Sequence, residues 1–222
     1  MVMPLERVLE NEVMDTLAEA ADYDAMDHAQ VNQVFVSDLL TAFPDPNLVL
    51  DLGTGTAQIP IELCRRHESV RVYAVDLAEE MLNLAAINIE LAGMRERIRL
   101  DRIDAKRFPY EPGLYDVIAS NSLLHHIAEP RQVLSEILRI ATPGTRIFVR
   151  DLVRPADEAT WEHLVETYAG KEVQHAKQMF ADSLRAALTV AEVQGMIESL
   201  GEDPAAVRQT SNRHWTWEVT VS

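Results

Sequence analysis

The run Val49-Leu50-Asp51-Leu52-Gly53-Thr54-Gly55-Thr56-Ala57 constrains this chain more than any other stretch. A β-rich segment passes without a spacer into a turn of small residues, and an apolar-periodic helix follows at once. Gly53 and Gly55 let the backbone bend tightly and come close to a ligand with no Cβ in the way. In a parallel sheet such a turn lies at the carboxyl end of the strands, where ligands bind. Asp76 closes the next β-rich run, 21 residues after Gly55. A carboxylate there can accept both ribose hydroxyls of a nucleoside, so the spacing suits an adenosine-containing cofactor.

The rest of the chain repeats this alternation. Residues 48–52, 70–75, 98–101, 115–120 and 145–150 read as strands apolar enough to be buried on both faces. Residues 57–67, 79–92 and 131–140 show the i, i+3, i+4 apolar spacing of helices, and Thr142-Pro143-Gly144 stops the last of them. Strands alternating with helices imply a doubly wound α/β sheet. Two helical regions are additional: one or two helices across residues 5–42, and two or three across 156–200, the last opened by Thr189 and Glu192 as a capping box. Residues 207–209 and 215–221 are expected to form an antiparallel hairpin at the sheet edge, completing a seven-stranded Rossmann-like sheet. With 222 residues and no flexible linker, the expectation is one domain: an N-terminal helical lid (1–44), a cofactor core (45–150), and a helical substrate region with the hairpin (151–222).

Composition removes several classes of function. Twenty basic against thirty-six acidic side chains leave a net charge of −16, which repels a phosphate backbone, so nucleic acid is not expected as a partner. The first thirty residues carry eight acidic groups and one basic residue, Arg7, the reverse of a secretory or mitochondrial leader. No apolar run approaches the ~20 residues of a membrane span, and a cytoplasmic location is the expectation. Cys64 is the only cysteine, which excludes an intrachain disulfide and reads as a buried, inert thiol.

The turn must be weighed against the nicotinamide fingerprint G-x-G-x-x-G/A, which also follows the first strand and is also followed by an acidic residue. Here the sixth position is Gln58 and the small residue is Ala57, giving G-x-G-x-A. That register resembles the first motif of the class I S-adenosylmethionine-dependent methyltransferases, with Ala57 where the family places a third glycine. Further pieces follow in order: Asp104-Ala105 after the third strand; Asp116-Val117-Ile118-Ala119-Ser120-Asn121 as the fourth; the loop Ser122-Leu123-Leu124-His125-His126-Ile127; and Pro143-Gly144 before the fifth strand.

The resemblance implies an enzyme that transfers a methyl group from S-adenosylmethionine, leaving S-adenosylhomocysteine. It implies that Asp51, Gly53 and Gly55 surround the methionine portion, that Asp76 serves the ribose, that Asp104 and Ala105 serve adenine, that Asn121 lies near the sulfonium, and that Thr54 and Leu77 also belong to the cofactor site. It also makes Tyr23, on a helix ahead of the first strand, a lid residue over the cofactor. For the acceptor the expectation is a small molecule, cationic or neutral rather than anionic because of the acidic N-terminal helix, with His28, Arg213 and His214 as substrate candidates. His125 and His126 are candidate catalytic bases, since an imidazole titrates near neutral pH. Being adjacent, they are expected to point apart on any regular element, and no metal site is expected. Two other functions compete, a nicotinamide oxidoreductase and a protein that binds the cofactor without turnover. Neither the oligomeric state nor the methylated atom is legible.

Overall fold

In the computed structural model, residues 5–10, 16, 20, 24 and 29–222 are described. The helices and strands are α1 (Ala29–Ala42), β1 (Leu48–Leu52), α2 (Gln58–Arg66), β2 (Arg71–Asp76), α3 (Glu79–Leu91), β3 (Ile98–Arg102), β4 (Val117–Asn121), α4 (Pro130–Ile140), β5 (Arg146–Leu152), α5 (Glu158–Ala169), α6 (Gln174–Ala186), α7 (Val190–Ser199), β6 (Val207–Gln209) and β7 (His214–Thr220). Short 3₁₀ turns occupy Leu124–His126 and Pro204–Ala206. The strand order is β3-β2-β1-β4-β5-β7-β6 in one seven-stranded sheet. β1 pairs parallel with both β2 and β4, β2 parallel with β3, and β6 antiparallel with β7. This is the doubly wound sheet with a C-terminal hairpin that the alternation predicts.

The strand order reverses at β1, which has β2 on one side and β4 on the other. Such a switch point opens a crevice outside the carboxyl ends of the strands, because the connections leave β1 and β4 in opposite directions. The register sets what borders it. Asp51 lies level with Ala74 and Ala119, and Leu52 with Val75 and Ser120, so the residues that next leave the sheet are Gly53, Asp76 and Asn121.

The chain divides into two compact units. The larger comprises Val13–Asn121, Gln132–Val149 and Glu218–Ser222. Its core joins Phe35, Val36 and Leu39 of α1 to Val49, Val72, Val117 and Phe148 of the strands, with Ile61 and Cys64 of α2 and Ile89 of α3. Phe148 receives Phe35 edge-on at 5.2 Å and Phe43 at 6.4 Å. Each fully buried side chain of this size contributes about 1.5–3 kcal/mol, so α1 is held by apolar burial. Cys64 is within this core, and burial raises its thiol to about 11, which leaves it protonated and inert at neutral pH.

The smaller unit comprises Met1–Glu12, Ser122–Arg131 and Arg150–Trp217. Its apolar cluster is Leu152, Leu164, Val165, Ala181, Leu184 and Ala187, with Trp161 and Phe180 packed against it. The helical region after β5 resolves into α5, α6 and α7, and the Thr189–Glu192 capping box opens α7 in both directions as expected. Of the N-terminal expectation, α1 is found, most of residues 11–28 lie outside the described residues, and Leu5–Glu10 is not helical. The segment runs beside α6 and covers its carboxyl end, Val8 donating its N–H to Arg185 O (3.2 Å) and Arg7 its Nε–H to Ala186 O (2.7 Å). The last carbonyls of a helix have no intrahelical donor. A guanidinium and a backbone N–H satisfy two of them here.

Candidate functional site

In the larger unit the chemistry gathers at the end of β1. Gly53 and Gly55 have φ of 69° and 54°, the left-handed region that glycine adopts without strain. The bend is anchored by the N–H groups of Gly53 and Thr54, which both donate to Val75 O at 2.9 and 3.0 Å. Gly55 N–H donates to Asp76 Oδ2 at 2.8 Å, and Ala78 N–H to Asp76 Oδ1 at 3.0 Å. The backbone therefore aims the Asp76 carboxylate at the glycine bend. These two bonds orient the carboxylate, which has about four acceptor positions.

Ala57 also adopts positive φ, 64°, at the position before α2, and it is fully buried. An L-residue there costs about 1–2 kcal/mol, which the surrounding core tolerates. Gln58, the residue that departs from the nicotinamide fingerprint, serves a structural purpose, since its Nε2 donates to Asp24 Oδ1 at 3.3 Å. Asn88 of α3 donates to the same oxygen at 3.0 Å and to Thr56 O at 3.1 Å. Asp24 thus ties the N-terminal segment to the glycine bend, a role that its sequence context, one carboxylate among eight, did not single out.

Asp51 is 3% exposed. Burial raises its carboxyl to about 7, with the nearby Asp76 charge adding to the rise and the Thr54 hydroxyl opposing it. Three buried polar atoms of this unit make no hydrogen bond of normal geometry among the described residues: Thr54 Oγ1, Thr56 Oγ1 and Asn121 Oδ1. Buried polar atoms are nearly always paired, so their grouping at the carboxyl ends of β1 and β4 fits a polar ligand. Further along, Asp104 Oδ1 accepts from Lys106 N–H at 2.9 Å and Ala105 is buried. Leu77 continues the chain from Asp76, and its carbonyl accepts from Arg102 Nε at 3.0 Å. Tyr23 and His28 lie outside the described residues.

In the smaller unit the loop after β4 begins with Ser122 at φ 59°, a strained conformation for a serine. The 3₁₀ turn that follows does not hold the two histidines apart. Their rings lie 4.0 Å centroid to centroid with planes tilted by 39°. The expectation of divergent side chains assumed a regular helix or strand, and the left-handed residue ahead of a 3₁₀ turn removes that assumption. His125 Nδ1 is 2.5 Å from Asp151 Oδ1, with both side chains buried. Asp151 also accepts N–H donors from Leu124 (2.6 Å), His125 (3.2 Å) and Leu152 (2.6 Å). Burial favours the neutral imidazole, but the Asp151 charge, its hydrogen bond and the Glu10 charge together outweigh it, and His125 is raised. Asp151 is lowered in turn, because His125 outweighs its own burial. His126 Nδ1 is 3.1 Å from Glu10 Oε2. Burial and the neighbouring His125 lower His126; burial raises Glu10, but the His126 bond, the two imidazole charges and the Ser183 hydroxyl together lower it. Arg7 donates from Nη2 to His125 O (3.4 Å) and Ile127 O (3.0 Å).

Glu10, Arg7 and Asp151 are functional candidates that sequence reasoning missed. Arg7 offered a signal, since it is the lone cation in an acidic segment, but nothing marked Glu10 among the other carboxylates. Arg213 lies with its guanidinium 3.7 Å over the Tyr168 ring and 5.8 Å from Phe180. Ser211 Oγ is 3.0 Å from His214 Nδ1, and burial with the Arg213 and Arg150 charges depresses His214 to about 4, so it is neutral at pH 7. Trp215 and Trp217 are fully buried, and Thr216 between them is buried as well, so β7 is covered on both faces.

Comparison with known proteins gives this geometry its family. Residues 43–215 match the family model described as a methyltransferase domain. Demethylmenaquinone methyltransferase of Deinococcus radiodurans is 34% identical over 112 residues, covering 50% of this chain and 45% of that protein. Norajmaline N-methyltransferase of Rauvolfia serpentina is 23% identical over 104 residues, covering 47% and 35%. The chain thus spans about half the length, or less, of these relatives. Among solved structures, a SAM-dependent methyltransferase from Aquifex aeolicus aligns with TM-score 0.68 at 18% identity, covering 93% of this chain and 99% of that one. The plantazolicin methyltransferase BpumL in complex with SAH aligns with TM-score 0.71 at 16% identity, covering 91% and 89%. At such identities the structural likeness concerns the fold alone. A G-x-G-x-A bend at the switch point, an aspartate ending β2 and a family match across most of the chain together place it: this chain belongs to the class I S-adenosylmethionine-dependent methyltransferase family.

Proposed function

We propose that the protein transfers a methyl group from S-adenosylmethionine to a small-molecule acceptor. The observation that carries the reading is the Gly55–Asp76 hydrogen bond at the switch point, which puts a cradle of backbone and a carboxylate within one crevice, beside buried polar atoms that make no hydrogen bond of normal geometry among the described residues. Bound there, S-adenosylmethionine supplies an electrophilic methyl on a sulfonium that leaves without acid assistance. Asp76 would hold the ribose, Asp51 with the bend from Gly53 to Gly55 and Thr54 the methionine end, Leu77, Asp104 and Ala105 the adenosine, and Asn121 the region of the sulfonium. Tyr23 is proposed as a lid residue over the cofactor. What remains for the protein is orientation and exclusion of water, which can supply about 7–11 kcal/mol to an in-line displacement.

The acceptor reading draws on the relatives, which include enzymes named for demethylmenaquinone and norajmaline, both small molecules. The net charge of −16 supports a neutral or cationic compound over a polyanion such as RNA, and it suits a cytoplasmic enzyme. In the smaller unit an open groove of 370 Å³ is bordered by Arg7, Leu188, Glu192 and Met196, a mixture of apolar wall and opposed charge. Arg213 and His214, and His28 ahead of α1, are the further acceptor-side candidates. Among the described residues no helix is long and apolar enough to cross a membrane.

The test is incubation with labelled donor and fractionated metabolites. Methylated product with stoichiometric S-adenosylhomocysteine is the expected outcome. Donor binding without either would make the protein a cofactor-binding module, and binding of reduced nicotinamide nucleotide in its place would overturn the reading.

A further inference from the structure

Glu10, His125 and His126 each offer one ligand atom, and the three atoms lie within 4.8 Å of one another. Two imidazoles and a carboxylate form the ligand set of a zinc site with an open fourth position. We propose that this cluster is a divalent metal site for a borderline first-row ion such as Zn²⁺, held at Glu10, His125 and His126 with Asp151 as the orienting outer carboxylate. The proposal is independent of the methyl-transfer reading.

Several features of the smaller unit support it. Asp151 takes His125 Nδ1 at 2.5 Å, which leaves Nε2 as the nitrogen available to an ion. This carboxylate–histidine arrangement is the usual outer support of a metal-bound imidazole, because it fixes the tautomer and the ring direction. Asp151 is itself held by three backbone N–H groups, so the support is rigid. Glu10 Oε2 and His126 Nδ1 are 3.1 Å apart, close to the roughly 3.4 Å between ligands on a tetrahedral zinc with ~2.1 Å bonds. Glu10 Oε1 is buried and accepts no hydrogen bond of normal geometry among the described residues. The carboxylate is otherwise steadied by His126, the His125 charge and the Ser183 hydroxyl, which together hold it below its ordinary range despite burial, so it is ionised and fit to ligate a cation.

Arg7 is committed to the carbonyls of Ala186, His125 and Ile127, so its guanidinium does not reach into the cluster as a counter-ion. Arg7 acts by position, because it fixes the segment that delivers Glu10 from residue 10 to a turn more than a hundred residues later.

The experiment uses the full chain without a histidine tag, titrated with Co²⁺ after chelator treatment. Expected is one equivalent of Co²⁺ with the intense visible d–d bands of a low-coordinate nitrogen and oxygen site, displaced by Zn²⁺. In wild-type protein, proton NMR should show hyperfine-shifted imidazole N–H resonances, including the His125 proton held by Asp151. Glu10→Gln and His126→Ala should lose the bands, Asp151→Asn should weaken binding by about 10–100-fold, and His163→Ala on exposed α5 should change nothing. Wild-type protein whose Co²⁺ keeps the pale spectrum of the hexaaqua ion would overturn the site, even if no variant folds. Bands that persist in folded Glu10→Gln or His126→Ala would overturn this ligand set. Donor binding by calorimetry is unaffected by either result, so the two readings fail separately.

Discussion

The bend after β1 and the turn after β4 both carry polar chemistry, yet they are built in opposite ways. At the bend the functional groups are backbone N–H donors and a carboxylate 21 residues away, joined by adjacent parallel strands. At the turn, Glu10, His125, His126 and Asp151 come from three distant stretches and meet only through tertiary packing. The first region can be recognised from a dozen residues, and the second from none of its parts alone. A site made of local backbone needs small residues in a fixed register, whereas a site made of side chains needs only that the fold close correct distances.

The largest expected effect tests the turn. Asp151→Ala leaves His125 and three backbone N–H groups without their acceptor in a buried setting, and it should destabilise the protein by about 3–5 kcal/mol in chemical denaturation. A loss within the noise of the measurement would mean that this turn is not the rigid counterpart of the bend. Next is Asp76→Ala at the bend, which should weaken donor binding by about 1.5–3 kcal/mol in calorimetry of the folded variant. Unchanged affinity would remove the carboxylate from the proposed ribose site.

A smaller effect concerns Asp51, whose carboxyl is raised from 3.8 to about 7. Between those values the folded state binds the extra proton, so this group makes the ligand-free protein less stable as pH rises from about 4 to about 7. A cationic donor needs the ionised carboxylate, so its affinity should improve with pH by up to roughly tenfold per unit below about 7 and then level off. Calorimetry in buffers of different ionisation enthalpy should show proton release on binding near pH 6. A flat affinity with no proton release would sever Asp51 from the donor.

The smallest effect concerns Ala57→Gly. Relief of left-handed strain favours glycine by about 1–2 kcal/mol. Greater unfolded-state freedom and the lost buried methyl each oppose it by a little under 1 kcal/mol. The net change in thermal stability should stay under about 1 kcal/mol. A large loss would show that the methyl, and not the backbone, fits this position to the core.

Much of the fold was legible because it is periodic. The strands from residues 48 to 150 and the helices between them were read to within a residue or two, since each is amphipathic or apolar over its own length. The bend was legible because glycines at 53 and 55 answer a local steric demand. Leu5–Glu10 was misread as helical because its partners are the terminal carbonyls of α6, about 180 residues away, and no local pattern records them. The histidine pair was misjudged for a related reason. Adjacent side chains diverge on regular elements, and the positive φ of Ser122 that takes the chain off such an element has no glycine to announce it.

Sequence by itself determined the order of strands and helices, the position of the glycine bend and the carboxylate that answers it, because hydrophobic period and backbone sterics act between near neighbours. Only the tertiary structure decided that Arg7 would close the end of α6, that Asp24 would fasten to Gln58 and Asn88, and that Glu10 would face two imidazoles backed by Asp151. Those contacts depend on closing long loops, whose cost grows only slowly with their length. Many partners were therefore open to each charged side chain, and the packed core made the choice.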